Sequence, residues 1–275
     1  MLPNGRFVTT GDFETYYIDE GSGEPLILLH GGGAGADSFS NWRECLPLFS
    51  KCRRVIAVDM VGFGHTDKPD PANFTYSQDA RNSQVIALIE ALGLERVSIV
   101  GNSMGGATAL GVTARRPDLV ENLVLMGSAG IPGMSSAALE PIMNYDFTLD
   151  GMRRIVVALT NSDYVIDEEQ VQYRYELTQE PDIRAAYTAI MGWVRENEFG
   201  YSLDEIEKVE TRTLVVHGKE DKVVPLASAY EFLKLLKNSS GYLIPHCGHW
   251  VMNEYPDVFA RVTLDFLDAY GVNGR

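Results

Sequence analysis

The chain has 275 residues and a net charge of −15 at neutral pH, with 45% hydrophobic and 22% charged residues. This composition is typical of a soluble globular protein and argues against disorder, and the acidic balance without a basic cluster argues against nucleic acid or an anionic membrane surface as a partner. The three cysteines lack metal-ligand spacing, and we see neither a signal-peptide pattern nor an apolar run of roughly 18 residues, so we expect a cytoplasmic protein without disulfides, metal or membrane span.

Short apolar runs alternate with helical patterns along most of the chain. Several runs are continuously apolar, which predicts strands buried on both faces of a parallel sheet. The alternation predicts an α/β fold with a mostly parallel central sheet and helices on both faces. Helices are predicted at 77–93 and 107–118, ending near Gly93 and Pro117. The predicted strands are 15–21, 25–31, 54–60, 97–102, 122–128, 212–218 and 240–246.

The alternation stops between residues 133 and 205, where helical patterns occur without strand signals, and the strand pattern resumes at Thr211. We interpret this stretch as a helical lid inserted over the sheet. The predicted organisation is a first part of the core at 1–132, the lid at 133–205 and a second part of the core at 206–275.

The segment GNSMG at 101–105 matches the pattern G-x-S-x-G and lies between a predicted strand and a predicted helix. Small flanking residues permit a strained turn that exposes the serine hydroxyl at the carboxyl edge of the sheet. The first N–H groups of the helix then point at the atom under attack. Ser103 is therefore predicted to be a nucleophile, and a structural serine in a tight turn is the alternative.

A nucleophilic serine in such a turn needs an acid and a histidine, which follow it in that order along the chain. His249, in the loop after the last predicted strand, is the predicted base, whereas His246 and His217 are predicted to be packed residues. Asp221 follows the preceding strand in GKEDKVVP and is the predicted acid, with Glu220 as a solvated neighbour. The acid holds the imidazole in the right tautomer and stabilises the imidazolium.

An oxyanion hole needs two backbone N–H donors. Met104, directly after the nucleophile, is predicted to supply one, and Gly32 in the glycine-rich loop LLHGGGAGADSFSNW the other, with Gly31 and Gly33 as neighbours in the site. A flexible loop or a phosphate cradle is the alternative, but the Lys-Ser/Thr that a phosphate cradle needs is absent. We therefore expect neither a nucleotide nor another cofactor.

Six segments together are typical of one known family. They are HGGGAGADSFSNW, DMVGFGHTDKP, GNSMGGATALG, LVLMGSAG, GKEDKVVP and PHCGHW. Through them, from about residue 7 onward, the chain resembles the meta-cleavage product hydrolases of the α/β-hydrolase superfamily. The resemblance implies the α/β-hydrolase fold and hydrolysis of a carbon–carbon bond in 2-hydroxy-6-oxohexa-2,4-dienoates, which form when catechol rings are opened in aromatic degradation. Within the family, MNYDFT and IPHCGHW are most similar to the member of carbazole degradation.

The resemblance also implies a site for the carboxylate and 2-oxygen end of the dienoate. Asn41, Asn102 and Trp250 match its asparagines and tryptophan, and Arg174 in VQYRYEL is our match for its arginine. Arg174 would supply the local cation that an acidic protein needs for an anionic substrate. Each residue has a structural alternative, such as a helix cap for Asn41, simple packing for Trp250 and a surface ion pair for Arg174. The arginines that compete with Arg174 are Arg153, Arg154 and Arg184.

The implied reaction begins with formation of the keto tautomer of the dienoate. Ser103 then attacks the C6 ketone and the C5–C6 bond breaks, giving 2-hydroxypenta-2,4-dienoate and an acyl-enzyme that water hydrolyses to a carboxylic acid. The C6 substituent would lie in an apolar compartment, where aryl and alkyl groups both stay open. The candidate lining residues are Ile131, Met143, Phe147, Val157, Met191, Trp193, Val223 and Val224.

Two other functions compete with this interpretation. A carboxylesterase would use the same triad but has no reason to bring Asn41, Asn102, Arg174 and Trp250 together, and a non-catalytic small-molecule receptor has no need for an intact triad. Epoxide hydrolases and haloalkane dehalogenases use an aspartate where this chain has Ser103. Homo-oligomers are common in the family, so the resemblance alone implies one here.

Overall fold

The computed structural model describes residues 5–134, 136–197 and 199–269. The ends of the predicted core, 1–4 and 270–275, and the lid positions Ser135 and Glu198 lie outside the described residues.

One eight-stranded sheet forms the centre of the described structure. Its strands are β1 (Gly5–Thr10), β2 (Phe13–Gly21), β3 (Pro25–Leu29), β4 (Arg54–Val58), β5 (Val97–Asn102), β6 (Val120–Met126), β7 (Arg212–Gly218) and β8 (Ser239–Ile244). Their order is β1-β2-β4-β3-β5-β6-β7-β8. The pairs β1–β2 and β2–β4 are antiparallel and the remaining pairs are parallel, as predicted.

The burial of the central strands explains their sequences. Side chains of β3, β4, β5, β6 and β7 are buried almost without interruption, which requires continuously apolar runs. Strand β1 is largely exposed and its sequence GRFVTT carries no such run, which is why we did not predict it. All parallel strands end at the same edge of the sheet, and this edge therefore gathers the loops that follow them.

Helices cover the sheet in two groups. They are α1 (Ser38–Trp42), α2 (Leu46–Phe49), α3 (Gln78–Ala91), α4 (Met104–Arg115), α5 (Glu140–Met143), α6 (Leu149–Leu159), α7 (Glu168–Leu177), α8 (Pro181–Asn197), α9 (Leu203–Glu207), α10 (Leu226–Leu235), α11 (Val251–Glu254) and α12 (Pro256–Asp268). Contacts join α1, α2, α11 and α12 to one another, and α3, α4, α9 and α10 to one another, as expected for helices on two faces of a sheet. None of the described helices is long and apolar enough to cross a bilayer.

The two predicted core helices begin and end for identifiable reasons. The side chain of Ser77 caps α3 by accepting the N–H of Ala80, and the chain leaves the helix through Gly93, whose φ is +63°. Helix α4 begins at Met104, three residues earlier than predicted, because Ser103 is itself the residue before the first turn.

Between β6 and β7, the described residues form helices α5 to α9 and no strand of the sheet. Helices α6 and α7 pack on each other, and α7 also contacts α1. Helix α9 spans the predicted boundary at residue 205 and contacts α4 and α10, so its packing partners belong to the core. We keep the division into core and lid as a proposal.

Candidate active site

The turn between β5 and α4 holds Ser103 in a strained conformation. Its φ of +54° and ψ of −118° lie in a region that non-glycine residues rarely adopt. The flanking glycines are needed because the turn is crowded. A Cβ atom on Gly105 would lie 2.3 Å from the carbonyl oxygen of Leu29, and one on Gly101 would lie 2.3 Å from that of Gly105. The predicted strand–serine–helix turn is therefore present, and only glycine fits two residues before and two residues after the serine.

The loops after β7 and β8 bring the predicted acid and base together. Nδ1 of His249 donates to Oδ2 of Asp221 at 2.7 Å, and both side chains are buried. The other carboxylate oxygen accepts the N–H groups of Val223 and Val224 at 2.8 and 2.9 Å. Because Nδ1 carries the proton in this pairing, Nε2 of His249 has the free lone pair that a general base requires.

The other histidines near this edge are not the predicted base, although Nε2 of His217 lies 3.4 Å from Oδ2 of Asp221. His217 is buried, and its Nε2 donates to the carbonyl oxygen of Val224 at 3.0 Å, so the predicted packed histidine is confirmed. Burial lowers the pKa of His217, which favours the neutral ring. His246 was predicted to pack in the loop, but it is exposed and its Nδ1 lies 3.3 Å from Oε1 of Glu220.

The glycine-rich loop after β3 packs against the nucleophile turn. A Cβ atom on Gly32 would lie 2.9 Å from Sδ of Met104, and one on Gly31 would lie 3.5 Å from Cβ of Ser103. The two residues predicted to supply N–H groups to an oxyanion are thus neighbours beside the serine. Their placement is compatible with an oxyanion hole at this point.

A cavity of about 440 Å³ lies against this edge of the sheet. Asp221 lies behind the ring of His249 and does not line the cavity. The predicted site residues that line the cavity are Gly31, Gly32, Gly33, Asn41, Asn102, Ser103, Met104, Ile131, Met143, Arg174, Met191, Val223, Val224, His249 and Trp250.

Three predicted lining residues were placed wrongly. Val157 is 50% exposed on the outer surface of α6. Phe147 packs under the guanidinium of Arg184, 5.2 Å from its ring centroid, and Trp193 packs in the same way against Arg81 at 5.4 Å. Side-chain type alone predicted these residues to line the cavity. Val157 and Trp193 point away from it on their helices, and Phe147 lies in the segment between α5 and α6.

A buried cation occupies one end of the cavity. Arg174 is 1% exposed, and its Nη2 donates to the carbonyl oxygen of Ala34 at 2.7 Å while Nη1 donates to Oγ of Ser40 at 3.3 Å. Its guanidinium lies 5.0 Å from the ring centroid of Trp250, within the range of a cation–π contact. Burial lowers the pKa of Arg174 to about 10, so the side chain stays cationic at neutral pH. Within the described residues, its Nε has no hydrogen-bond partner.

The two predicted asparagines reach the same cavity with unused groups. Oδ1 of Asn41 accepts the N–H of Gly31 at 3.3 Å, and Nδ2 of Asn102 donates to the carbonyl oxygen of Met126 at 3.3 Å. Among the residues described, Nδ2 of Asn41 and Oδ1 of Asn102 are buried without a partner. Buried polar groups are normally satisfied, so these atoms and the Arg174 side chain favour a polar ligand. The alternative role of Asn41 as a helix cap is wrong, because Asp37 caps α1.

The other arginines of the insertion lie away from this end. Arg153 and Arg154 form surface ion pairs at 2.6 Å, and Arg184 packs on an aromatic ring. Besides Arg174, Arg195 is the only arginine of the described chain that lines the cavity, and it is exposed. The choice of Arg174 among the competing arginines therefore agrees with the geometry.

Sequence reasoning missed the residues that join α1 to α7. Oδ1 of Asp37 accepts the N–H of Ser40 at 2.6 Å, and Oδ2 accepts the hydroxyl of Tyr173 at 2.5 Å. Burial raises the pKa of Asp37 to about 6, and the nearby Asp59 carboxylate contributes in the same direction. These bonds hold together the two helices that carry the asparagine and the arginine of the cavity. An aspartate is a preferred residue directly before the first turn of a helix, and this preference was the signal available for Asp37.

Comparison with known proteins gives a consistent set of similarities. The family model of the alpha/beta hydrolase fold matches residues 24–256. A relative from Metapseudomonas resinovorans, 2-hydroxy-6-oxo-6-(2'-aminophenyl)hexa-2,4-dienoic acid hydrolase, is 51% identical over 264 residues, covering 95% of this chain and 90% of the relative.

Two solved structures extend the similarity to the fold. A serine hydrolase involved in carbazole degradation has a TM-score of 0.90 at 48% identity, with 98% of this chain and 100% of that chain covered. A meta-cleavage product hydrolase from Pseudomonas fluorescens IP01 has a TM-score of 0.91 at 32% identity, with 96% of this chain and 98% of that chain covered.

Proposed function

Because this chain belongs to the α/β hydrolases and, among them, to the meta-cleavage product hydrolases, we propose that it hydrolyses the C5–C6 bond of a 2-hydroxy-6-oxohexa-2,4-dienoate. The products are 2-hydroxypenta-2,4-dienoate and a carboxylic acid. The family match confirms the fold and the resemblance that the sequence predicted.

One observation carries this proposal. The serine, the histidine and a buried arginine line a single cavity, and the arginine end also holds two asparagines with unused amide groups. An esterase needs only the serine and histidine, whereas a dienoate also carries a carboxylate and a 2-oxygen that require a cation and hydrogen-bond partners. Cationic Arg174 supports this role because it stays charged although it is buried.

In the first stage, the dienoate end binds beside Arg174, Asn41, Asn102 and Trp250. The guanidinium neutralises the carboxylate, and the amide groups hold the 2-oxygen as the dienol becomes its keto tautomer. This tautomer is needed because the carbon that leaves in the next stage must carry negative charge as a dienolate. An apolar cavity wall beside these groups excludes water and strengthens their interaction with the anion.

In the second stage, Nε2 of His249 takes the proton of the Ser103 hydroxyl as its oxygen attacks the C6 carbonyl carbon. Asp221 stabilises the imidazolium through the 2.7 Å bond to Nδ1. The N–H groups of Gly32 and Met104 receive the oxyanion. When the C5–C6 bond breaks, its electron pair forms the dienolate, which is protonated, and water then hydrolyses the acyl-enzyme.

The other end of the cavity suits an aryl substituent on C6. The predicted apolar residues that line the cavity include flexible methionines, which adapt to a planar ring, and Glu140 and Arg195 line the same cavity. The relative that is 51% identical acts, by its name, on a 6-(2'-aminophenyl) compound. We therefore propose a C6-aryl dienoate as the substrate. The residues concerned are Ile131, Met143, Met191, Val223 and Val224.

The direct experiment mixes the protein with 2-hydroxy-6-oxo-6-phenylhexa-2,4-dienoate and follows the visible absorbance of the dienoate and the release of benzoate. The 6-methyl analogue and p-nitrophenyl acetate are measured beside it. We expect fast loss of colour with stoichiometric benzoate, slower turnover of the methyl analogue and much slower ester cleavage. The variant Ser103→Ala should lose several orders of magnitude in kcat, while the exposed control Ser162→Ala keeps the wild-type rate.

Two outcomes would contradict the proposal. An unchanged dienoate with brisk ester cleavage would indicate a carboxylesterase, and tight dienoate binding without turnover would indicate a receptor. A homo-oligomer stays a prediction that gel filtration can test, and a cytoplasmic location stays one that cell fractionation can test. The lid at 133–205 also stays a prediction.

A further inference from the structure

The end of helix α6 is fastened to the loop that carries the catalytic histidine. The carbonyl oxygen of Leu159 accepts the N–H groups of both His249 and Trp250 at 3.0 Å. Position 248 must be glycine for this contact, because a Cβ atom on Gly248 would lie 2.7 Å from the backbone nitrogen of Asn161. The segment 159–161 of the insertion therefore touches the backbone on both sides of His249.

Glu254, at the end of α11, joins the same two segments through its carboxylate. Oε1 accepts the N–H of Gly248 at 2.9 Å, and Oε2 accepts the N–H of Asn161 at 3.1 Å. One carboxylate thus uses both oxygens to hold the residue before the histidine and the first turn after α6. Hydrogen bonds to an ionised acceptor are stronger than neutral ones, so ionisation of Glu254 strengthens this link.

A second link reaches the acid of the triad. Nδ2 of Asn161 donates to Oε2 of Glu220, the residue directly before Asp221. Asn161 is buried, and it bonds both to Glu220 beside the acid and to Glu254, which holds the loop of the base. Displacement of Asn161 would therefore shift the backbone next to Asp221 and the backbone next to His249.

We infer that Glu254 is a positioning residue, which couples the insertion to the catalytic histidine and stabilises the imidazolium formed in the reaction. The inference rests on the proposed function, since it assigns Glu254 a part in that turnover. Glu254 touches neither the cavity nor the substrate end at Arg174, so it acts through His249 and through Asn161.

The surroundings of Glu254 make its charge depend on pH in the working range. Burial raises its pKa to about 7. Asp221 adds to this rise, and a charge on His249 opposes it, so an imidazolium there and a carboxylate at Glu254 favour each other. The other titratable groups that face it are Cys247, Tyr255 and Tyr164.

Two variants of Glu254 and one control separate the effect of its charge from the effect of its hydrogen-bond geometry. Glu254→Gln keeps the length and removes the charge, and its amide nitrogen cannot accept an N–H. Glu254→Asp keeps the charge but is one methylene too short to reach both N–H groups. Glu121→Gln, an exposed glutamate of β6, is the matched control. Each is assayed with the phenyl dienoate and with p-nitrophenyl acetate from pH 5.5 to 9, after thermal unfolding has established that it is folded.

For Glu254→Gln we expect kcat to fall about 10- to 100-fold, the size of a lost charged hydrogen bond, with KM changed by less than about twofold. The acid limb of its kcat/KM profile should move to lower pH, because the charge that favours the imidazolium is gone. Glu254→Asp should keep the acid limb in place but lose part of kcat, and Glu121→Gln should match the wild type.

A wild-type kcat for Glu254→Gln would overturn the inference. So would a loss of kcat with a parallel rise in KM and an unmoved pH profile, which indicates a structural role. If the wild type does not turn over the dienoate, the proposed function fails instead. The ester assay then still reports on Glu254, because ester cleavage uses the same histidine.

Discussion

The carbonyl oxygen of Arg174 lies 2.2 Å from the position that a Cβ atom on Gly35 would occupy. The glycine-rich loop and helix α7 are therefore in backbone contact at the residue that carries the buried guanidinium. The sequence HGGGAGAD predicted a loop that approaches a ligand, but the tightest approach at Gly35 is to the insertion.

Gly35→Ala should therefore weaken substrate binding through the position of α7. Gly11→Ala is a matched control, since the two glycines have φ values of +64° and +69° but nothing lies within 4 Å of a Cβ atom on Gly11. Both changes cost about 1–2 kcal/mol for the left-handed backbone. Only Gly35→Ala should cost more and raise KM for the dienoate. Equal effects on the midpoint of urea unfolding and on KM would contradict this reasoning.

Removal of the buried cation should affect the dienoate and spare the ester. Arg174→Gln is expected to lower kcat/KM for the phenyl dienoate about 10- to 100-fold, mainly through KM, since a hydrogen-bonded charge pair is lost. Turnover of p-nitrophenyl acetate should stay within about twofold because this ester has no carboxylate. Arg154→Gln, an exposed arginine of the same insertion, serves as the control. A parallel loss on both substrates would instead indicate that the variant disturbs the triad.

The bond between Asp37 and Tyr173 should stabilise the contact between α1 and α7. Tyr173→Phe removes the donor, and Asp37→Asn weakens the acceptor. In a double-mutant cycle we expect a coupling free energy of about 1–3 kcal/mol, as for a hydrogen bond to a charged group. Urea unfolding of the wild type, both single variants and the double variant measures it. Strictly additive changes in the free energy of unfolding would show that the two side chains do not interact.

Much of the fold could be predicted because its signals are local. The strands β3 to β7 are buried on both faces, and Ser103, Asp221 and His249 each follow a strand in the expected order. The residues that were misplaced depend on side-chain direction. Val157 and Trp193 are apolar residues of amphipathic helices. The helix pattern shows which residues share a face, but it does not show what that face packs against in the fold.

Other features could not be predicted because they arise between distant segments. Glu254 meets the backbone of Asn161, 93 positions earlier in the chain, and Tyr173 meets Asp37 across 136 positions. No local pattern encodes such contacts, since a glutamate four residues after Trp250 reads as an ordinary helix residue. The short helix α1 was also missed as a capped unit, although Asp37 carries the cap pattern.

The titration of Glu254 should be visible in the stability of the folded protein. Its pKa of about 7 in the folded state lies above the value of about 4.3 in an unfolded chain. The folded state therefore binds the proton more tightly, and the resulting stabilisation is complete below about pH 4.3 and is lost as the pH rises through about 7. Glutamine does not ionise, so Glu254→Gln escapes this loss.

The measurement is the difference in Tm between Glu254→Gln and the wild type across pH 5 to 8. We expect the difference to shift in favour of the variant as the pH rises, by about 2 °C for each kcal/mol, the lower end of the range for domains of this size. Asp37, with its raised pKa, titrates in both proteins and cancels in the difference. Glu121→Gln should give a flat difference. A flat difference for Glu254→Gln as well would mean that Glu254 titrates in the folded protein as it does in an unfolded chain, and its charge would then stay constant over the working pH range.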